Sequence, residues 1–220
     1  MSTQSYRAGV FIAQHKKLSI AAACACAIAY LGWHPSAAKQ DNPPVTQPAK
    51  ANQADLCKAG EGARITNMVF MGQGEPLANL DNVITAIDIL TEPTGLSVSP
   101  RRITVSTVGL LPQMRALLAR TKVELAVSLH ATTEATRTDL VPSNRRYGLH
   151  ALLATCRELP IAKRSRITYE YTMLAGVNDS DEDRRRLAKL LRATRCKINL
   201  IPFNPFPGAE FRSSPIDRIE

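Results

Sequence analysis

A carboxylate behind two glycines is the first sign of chemistry in this sequence. The stretch "NMVFMGQGEPLANL" begins as an apolar run typical of a buried strand, and then gives Gly72, Gly74 and Glu75 in close succession. The two glycines resemble the start of a dinucleotide-binding loop, but Leu77 stands where the third glycine belongs. Because a carboxylate there would repel a phosphate, we expect Glu75 to face a cation such as an ammonium. The same residues also fit a glutamate that caps a helix beside a tight turn.

Polar side chains also end other apolar runs of the sequence. Ser106 and Ser128 fit ordinary strand-terminal residues when each is taken singly. His130 reads as a satisfied hydrogen-bonding residue, because neither a Ser-His-Asp order nor a metal-binding spacing accompanies it. Asn204 lies in "PFNPFPG", where prolines restrict the backbone on both sides. A rigid loop that presents one amide favours a ligand contact.

The elements that must position these residues alternate along the chain. Strand-like runs with apolar interiors are each followed by a helix-like stretch, and there are about five such runs: "RITNMVFMG", "RRITVSTVG", "VELAVSLHA", "RITYEYTML" and "KINLIPFNPF". This alternation predicts an α/β fold with parallel strands, either a (β/α) barrel or an open doubly wound sheet. In both architectures ligands bind beyond the carboxyl ends of the strands. We therefore expect the polar residues to form a rim above an apolar barrel.

Composition limits the classes of function without choosing one. The chain has 220 residues and a net charge of +9, so a polyanionic partner and a solvated basic surface both remain open. Its five cysteines form no CxxC motif, and their odd number argues against a disulfide framework. Reduced thiols in a cytosolic protein are the expectation.

Residues 1–60 differ in composition and hydrophobic pattern from residues 61–220. Lys16 and Lys17 precede an apolar run that ends in small residues, which is the layout of an export signal. The run is shorter than the roughly 20 residues that a membrane span needs. The other interpretation is a helix or extension with no targeting role. A proline-rich linker follows, so we predict an unmatched extension over 1–60 and a core over 61–220.

Taken together, the core motifs resemble one family. The motifs are "MGQGEPLANLDNV", "RRITVSTVGL", "AVSLHATTEATRTDLVPSNRRY", "YEYTMLAGVND" and "CKINLIPFNPFPG". In this order they resemble the radical S-adenosylmethionine (radical SAM) RNA methyltransferases of the RlmN/Cfr type, with RlmN the nearer branch. Members methylate carbon-2 or carbon-8 of an adenine in 23S ribosomal RNA, and RlmN also acts on transfer RNA.

The resemblance implies a cofactor, a fold and partners. It implies a partial (β/α) barrel of the radical SAM type that binds S-adenosylmethionine, with Gly74 and Glu75 at the methionyl end and Glu75 on the amino group. The rest of the implied site consists of Ser106, Ser128, Leu129, His130 and Asn204. It also implies a cytoplasmic monomer with no membrane association, which takes electrons from a reductant such as flavodoxin. Four arginines fit either RNA-phosphate contacts or plain surface charge: Arg101, Arg102, Arg145 and Arg146.

The sequence departs from this family at its iron–sulfur centre. The family's [4Fe–4S] cluster is held by a CxxxCxxC loop upstream of the "GEP" motif, and this sequence contains no CxxxCxxC. Cys24, Cys26 and Cys57 have the wrong spacing, and Cys196 does not match the family's methyl-carrying cysteine. We therefore expect five strands, with the first strand and the cluster loop missing and the chain truncated at both ends relative to the family. No catalytic or metal-binding residue is predicted.

Two hypotheses follow from these residues. The chain belongs to a radical SAM methyltransferase of ribosomal RNA adenine, or it is an inactive fragment that retains at most S-adenosylmethionine or RNA binding.

Overall fold

The computed structural model describes residues 66–72 and 74–219. Its five strands are β1 (Met68–Phe70), β2 (Ile103–Thr107), β3 (Glu124–Ser128), β4 (Ile167–Met173) and β5 (Cys196–Pro202). All neighbouring pairs are parallel, and the strands lie in the order β1-β2-β3-β4-β5. This confirms the α/β fold with five parallel strands. The consecutive order is that of a (β/α) barrel, since a doubly wound sheet reverses its strand order at a switch point.

Helices separate the strands as the sequence predicts. They are α1 (Leu80–Thr91), α2 (Leu111–Arg120), α3 (Glu134–Leu140), α4 (Leu149–Glu158), α5 (Asp181–Leu191) and α6 (Ile216–Ile219), with short 3-10 turns at Pro76–Asn79, Pro100–Arg102 and Pro142–Arg145. Helix α1 buries the apolar stripe of Val83, Ile84 and Ile87. Helix α5 begins at a capping box, in which Ser180 and Asp183 each accept a hydrogen bond from the other's backbone N–H.

The two faces of the sheet differ in polarity. Alternate strand residues pack with the helices in the main core, and examples from the middle strands are Ile103, Val105, Leu125, Val127 and Tyr169. The strand register places mainly polar residues on the other face, with Val69, Ala126 and Ile201 as apolar exceptions. The polar residues include Thr104, Ser106, Ser128, Thr168, Glu170, Thr172, Lys197 and Asn199. The expected polar rim is present at the carboxyl edge, as at Ser128 and His130, but the interior below it is not uniformly apolar as expected. Apolar residues of the middle strands such as Ile103, Val105 and Leu125 lie under the helices, and the inner face of these strands is mainly polar.

One buried arginine ties the carboxyl ends of β2 and β3 together. Arg137 of α3 is fully buried, and its guanidinium donates to the carbonyl oxygens of Val108 (2.7 Å), Ser128 (3.1 Å) and Leu129 (3.3 Å). A further N–H donates to Asn144 Oδ1 at 2.7 Å. Burial lowers the pKa of Arg137 to about 10, so the side chain is still charged at neutral pH.

Two sequence predictions fall on residues outside the described ones. These are the boundary near residue 60 and the apolar run after Lys17. Within residues 66–72 and 74–219, no helix is long and apolar enough to cross a membrane.

We expect Arg137→Met to lower the free energy of unfolding by about 3–5 kcal/mol, because it leaves three carbonyls and one amide at the strand ends without their donor. The measurement is urea denaturation followed by circular dichroism. Arg115→Met is the matched control, since Arg115 is half-exposed and its ion pair with Glu158 is worth about 1 kcal/mol or less. An equal cost for the two variants would contradict the role given to Arg137.

Candidate functional site

Glu75 joins the ends of two neighbouring strands. Its Oε1 accepts a hydrogen bond from Leu77 N–H (3.0 Å), which caps the 3-10 turn Pro76–Asn79. Its Oε2 accepts from Val108 N–H (2.8 Å), just after β2. The helix-capping interpretation is therefore confirmed, and the contact with Val108 was not predicted. Each carboxylate oxygen can accept one further hydrogen bond.

The electrostatic setting of Glu75 favours a cation. Burial raises the pKa of this carboxyl, against the opposing effect of hydrogen bonds from Val108, Leu77 and Thr107. Among the described residues, no basic side chain contributes to that pKa. The negative charge is thus only partly solvated, and an ammonium beside it would stabilise it. Whether it binds one stays a prediction.

Gly74 leaves room beside this carboxylate. Its backbone φ of +90° lies in the left-handed region that favours glycine. A Cβ built there meets nothing within 4 Å, and the residue is exposed. The glycine is therefore needed for the backbone conformation, and open space lies next to it.

His130 provides a buried hydrogen-bond donor at the end of β3. The residue has a left-handed φ of +54°, and its Nδ1 accepts from Thr172 N–H at 3.1 Å. That bond assigns the proton to Nε2, which is buried and has no partner among the described residues. Burial, with a smaller contribution from Arg137, lowers the pKa of His130 to about 4. The imidazole is neutral at pH 7, and its buried Nε2–H has no hydrogen-bond acceptor among the described residues.

Asn178 holds the backbone of His130 in place. Its side-chain amide donates to the carbonyl oxygens of His130 (2.7 Å) and Thr172 (2.8 Å) and accepts from Leu174 N–H (2.7 Å). The hydroxyl of Tyr171 donates to the Asn178 carbonyl at 2.7 Å. Sequence reasoning missed Asn178, because an asparagine in a loop carries no signal that it will be buried.

The remaining predicted site residues near β2 and β3 differ in burial and in the face of the sheet that they occupy. Ser106 lies half-buried on the polar face, opposite Ala126 of β3. Ser128 is buried at the end of β3, opposite Glu170. Leu129 has its side chain in the core, while Glu170 and Arg137 bind its N–H and C=O.

Asn204 lies on the segment that follows β5. It is exposed, and no hydrogen bond within the described residues joins it to the other predicted site residues. Its neighbour Phe203 is buried in a small apolar cluster that includes Ala131 and Leu174, next to His130. This packing brings the segment to the same edge of the sheet. A role in binding stays a prediction for all the site residues.

The network links three strand ends into one site. Val108 donates its N–H to Glu75 and accepts from Arg137 at its C=O. Arg137 also donates to the carbonyl oxygens of Ser128 and Leu129. The carboxylate of Glu75 and the imidazole N–H of His130 therefore lie at the same edge of the sheet. Such a pair suits a small ligand with both a cationic and a hydrogen-bond-accepting group.

The described residues do not fit an iron–sulfur cluster. Cys156 is buried within α4, where burial raises its thiol pKa to about 11. Cys196 begins β5, at the opposite edge of the sheet from Glu75, and burial also raises its pKa. In this part of the chain, no group of three or more His, Cys, Asp or Glu side chains is placed to hold a metal ion. The thiolates that such a cluster needs are not supplied here.

Comparison with known proteins identifies the family, although no family model matches the chain. The chain is 52% identical over 167 residues to the dual-specificity RNA methyltransferase RlmN of Syntrophobacter fumaroxidans, which covers 76% of this chain and 48% of that protein. It is 50% identical over 175 residues to the enzyme of the same name from Methylobacterium radiotolerans, with coverage of 79% and 41%. Among solved structures, it is similar to a radical SAM methyltransferase from Sphaerobacter thermophilus, with a TM-score of 0.71 and 45% identity over 76% of this chain and 49% of that one.

The chain spans less than half the length of these curated relatives. The similarity nevertheless covers three quarters of the chain in both sequence and fold. The chain belongs to the RlmN-type family of radical SAM methyltransferases.

Proposed function

We propose that this chain binds S-adenosylmethionine at the carboxyl edge of its sheet. The observation that carries the proposal is Glu75, whose carboxylate is held by two backbone N–H groups and lacks a cationic partner among the described residues. The methionyl ammonium of the cofactor is a cation that such a carboxylate would attract. Gly74 lets the ligand approach the backbone there.

The other predicted residues complete the site in this proposal. His130 donates its Nε2–H to an acceptor on the ligand, because this proton has no partner among the described residues. Ser106 and Ser128 line the polar face, Leu129 packs beneath it, and Asn204 presents its amide from the segment after β5.

For the whole protein, we propose methylation of carbon-2 of an adenine in 23S ribosomal RNA, with transfer RNA as a further substrate. Relatives named as dual-specificity RNA methyltransferases support this assignment. S-adenosylmethionine supplies the methyl group when it is bound. The proposal includes a cytoplasmic monomer that receives electrons from a reductant such as flavodoxin.

For the isolated chain, a second candidate is binding without catalysis. The observation behind it is the lack of a CxxxCxxC motif anywhere in the 220 residues. Cofactor binding at Glu75 needs no thiolate, so the site can bind without performing the reaction.

We expect Glu75→Gln to weaken S-adenosylmethionine binding about tenfold to a hundredfold, since it removes a charge-assisted hydrogen bond worth about 1.5–3 kcal/mol. Isothermal titration calorimetry measures the affinity. Glu210→Gln is the control, because Glu210 is an exposed carboxylate on the segment after β5. An S-adenosylmethionine analogue without the amino group should bind the wild-type chain and Glu75→Gln equally. No binding by the wild-type chain, or equal loss in both variants, would contradict the proposed site.

We expect the affinity for S-adenosylmethionine to fall as the pH drops through the raised pKa of Glu75. Protonation neutralises the carboxylate that attracts the ammonium, so binding is strongest above that pKa and is lost below it. His130, with a pKa of about 4, stays neutral above about pH 5 and adds no change there. Calorimetry between pH 5 and 8 tests this, and Glu75→Gln should flatten the profile. A profile unchanged by that substitution would assign the pH dependence to another group.

After anaerobic reconstitution with iron and sulfide, we expect the isolated chain to show neither cluster absorbance nor methylation of adenine in ribosomal RNA. The reason is that the chain contains no CxxxCxxC loop to supply the thiolates. Mass spectrometry of the digested RNA detects 2-methyladenosine. Its appearance would show that binding without catalysis is wrong for this chain.

A further inference from the structure

Basic residues gather at the edge of the sheet opposite the candidate site. Four loops lead into the amino ends of β2 to β5, at residues 92–102, 121–123, 159–166 and 192–195. They contain eight Lys or Arg residues and one carboxylate, Glu92. We call the eight the amino-edge face: Arg101, Arg102, Lys122, Lys163, Arg164, Arg166, Arg192 and Arg195.

All eight side chains of the amino-edge face are exposed. Within residues 66–72 and 74–219, none of them forms a salt bridge or donates a side-chain hydrogen bond. The nearby Glu158 pairs with Arg115 at 2.6 Å, and Glu124 accepts from Ser165 at 2.7 Å. The described part of the chain therefore leaves these positive charges without neutralising partners.

The loops at the carboxyl edge have the opposite balance. Those that follow the five strands, at residues 71–79, 108–110, 129–133, 174–180 and 203–215, contain three carboxylates and one arginine. These are Glu75, Asp179, Glu210 and Arg212. A general excess of surface lysine and arginine would charge both edges alike. Arg145 and Arg146, which follow Asn144 near Arg137, bring the basic residues on that side only to three, equal to its carboxylates, so the amino edge is selectively basic.

The chemistry of the amino-edge face fits a phosphate backbone. Six of its eight residues are arginines, whose planar guanidinium binds phosphate through paired hydrogen bonds. The four loops contain no aromatic residue, although Tyr, Trp and Phe are enriched in protein interfaces and stack on bases in single-strand binders. Serine and threonine hydroxyls, which also contact phosphates, lie in the same loops at Ser99, Thr121 and Ser165.

We propose that the amino-edge face binds the phosphate backbone of structured RNA. This rests on the proposed function only in taking RNA as the substrate class. Strands β4 and β5 are seven residues long. The two edges are therefore roughly 20 Å apart at about 3.3 Å per residue. The RNA is held at one edge through its shape and charge, while the reacting base belongs at the other. Arg101 and Arg102 fall within this face. Arg145 and Arg146 follow Asn144, which binds Arg137, and do not fall within it.

The test measures binding of a fluorescein-labelled RNA hairpin to the full 220-residue chain over a series of potassium chloride concentrations. Two double variants of the face are Arg101→Gln with Arg102→Gln, and Lys163→Gln with Arg164→Gln. The matched control is Arg184→Gln with Arg185→Gln, which removes the same charge from exposed positions on α5. Circular dichroism verifies that all variants fold, as expected for exposed side chains.

Each face variant should lose about tenfold in affinity and lower the salt slope of the logarithm of the binding constant by about 1.8, for two lost phosphate contacts. The control should change neither value. Equal losses in face and control variants, or no hairpin binding by the wild-type chain, would overturn the proposal. So would poly-L-glutamate binding more tightly than the hairpin, since that would assign the face to an acidic protein. Failure here leaves the S-adenosylmethionine titration untouched, so the two proposals fail separately.

Discussion

The rest of the site depends on the hydrogen bonds that one buried guanidinium, that of Arg137, donates. Arg137 donates to three carbonyls at the ends of β2 and β3, and Val108 uses its own N–H to hold Glu75. Val108 therefore contacts both Arg137 of α3 and the Glu75 carboxylate after β1, so the position of one side chain constrains the other. A buried charge is tolerated only where hydrogen bonds replace its hydration, and carbonyls at strand ends provide those acceptors. The fold and the candidate site are in this way stabilised by the same contacts.

The two edges of the sheet carry different charge. A lysine or arginine near Glu75 would pair with that carboxylate and compete with any ligand ammonium. The eight exposed basic residues of the amino-edge face lie at the other edge, at a distance of roughly 20 Å, which exceeds the Debye length of about 8 Å at physiological ionic strength. Separation by the length of the strands therefore lets one small domain keep an unpaired carboxylate and a strongly basic surface together.

The sequence was informative wherever a local pattern decides the outcome. The five strands and intervening helices followed from apolar periodicity, and the consecutive strand order agrees with the barrel alternative. The carboxyl-edge location of Glu75, Ser128 and His130 followed from parallel-strand logic alone. Arg137 and Asn178 were missed because their burial depends on where α3 and the loop after β4 pack, which no spacing reveals. The inner face was predicted to be apolar because the apolar residues of each strand were assigned to both faces. In β2, Thr104 and Ser106 point to one face, and Ile103 and Val105 point to the other.

The ammonium contact proposed at Glu75 and an iron–sulfur cluster have different structural requirements. Within the described residues, the hydrogen bonds that orient Glu75 and His130 involve Leu77, Val108, Glu170, Thr172 and Asn178. The positions of Glu75 and His130 are consequently fixed by the strand ends and the loops that follow them. Cluster binding requires three thiolates with a fixed spacing, and no arrangement of Cys156 and Cys196 provides it. The carboxylate geometry at Glu75, on which the proposed ammonium contact rests, is therefore independent of any cluster ligand.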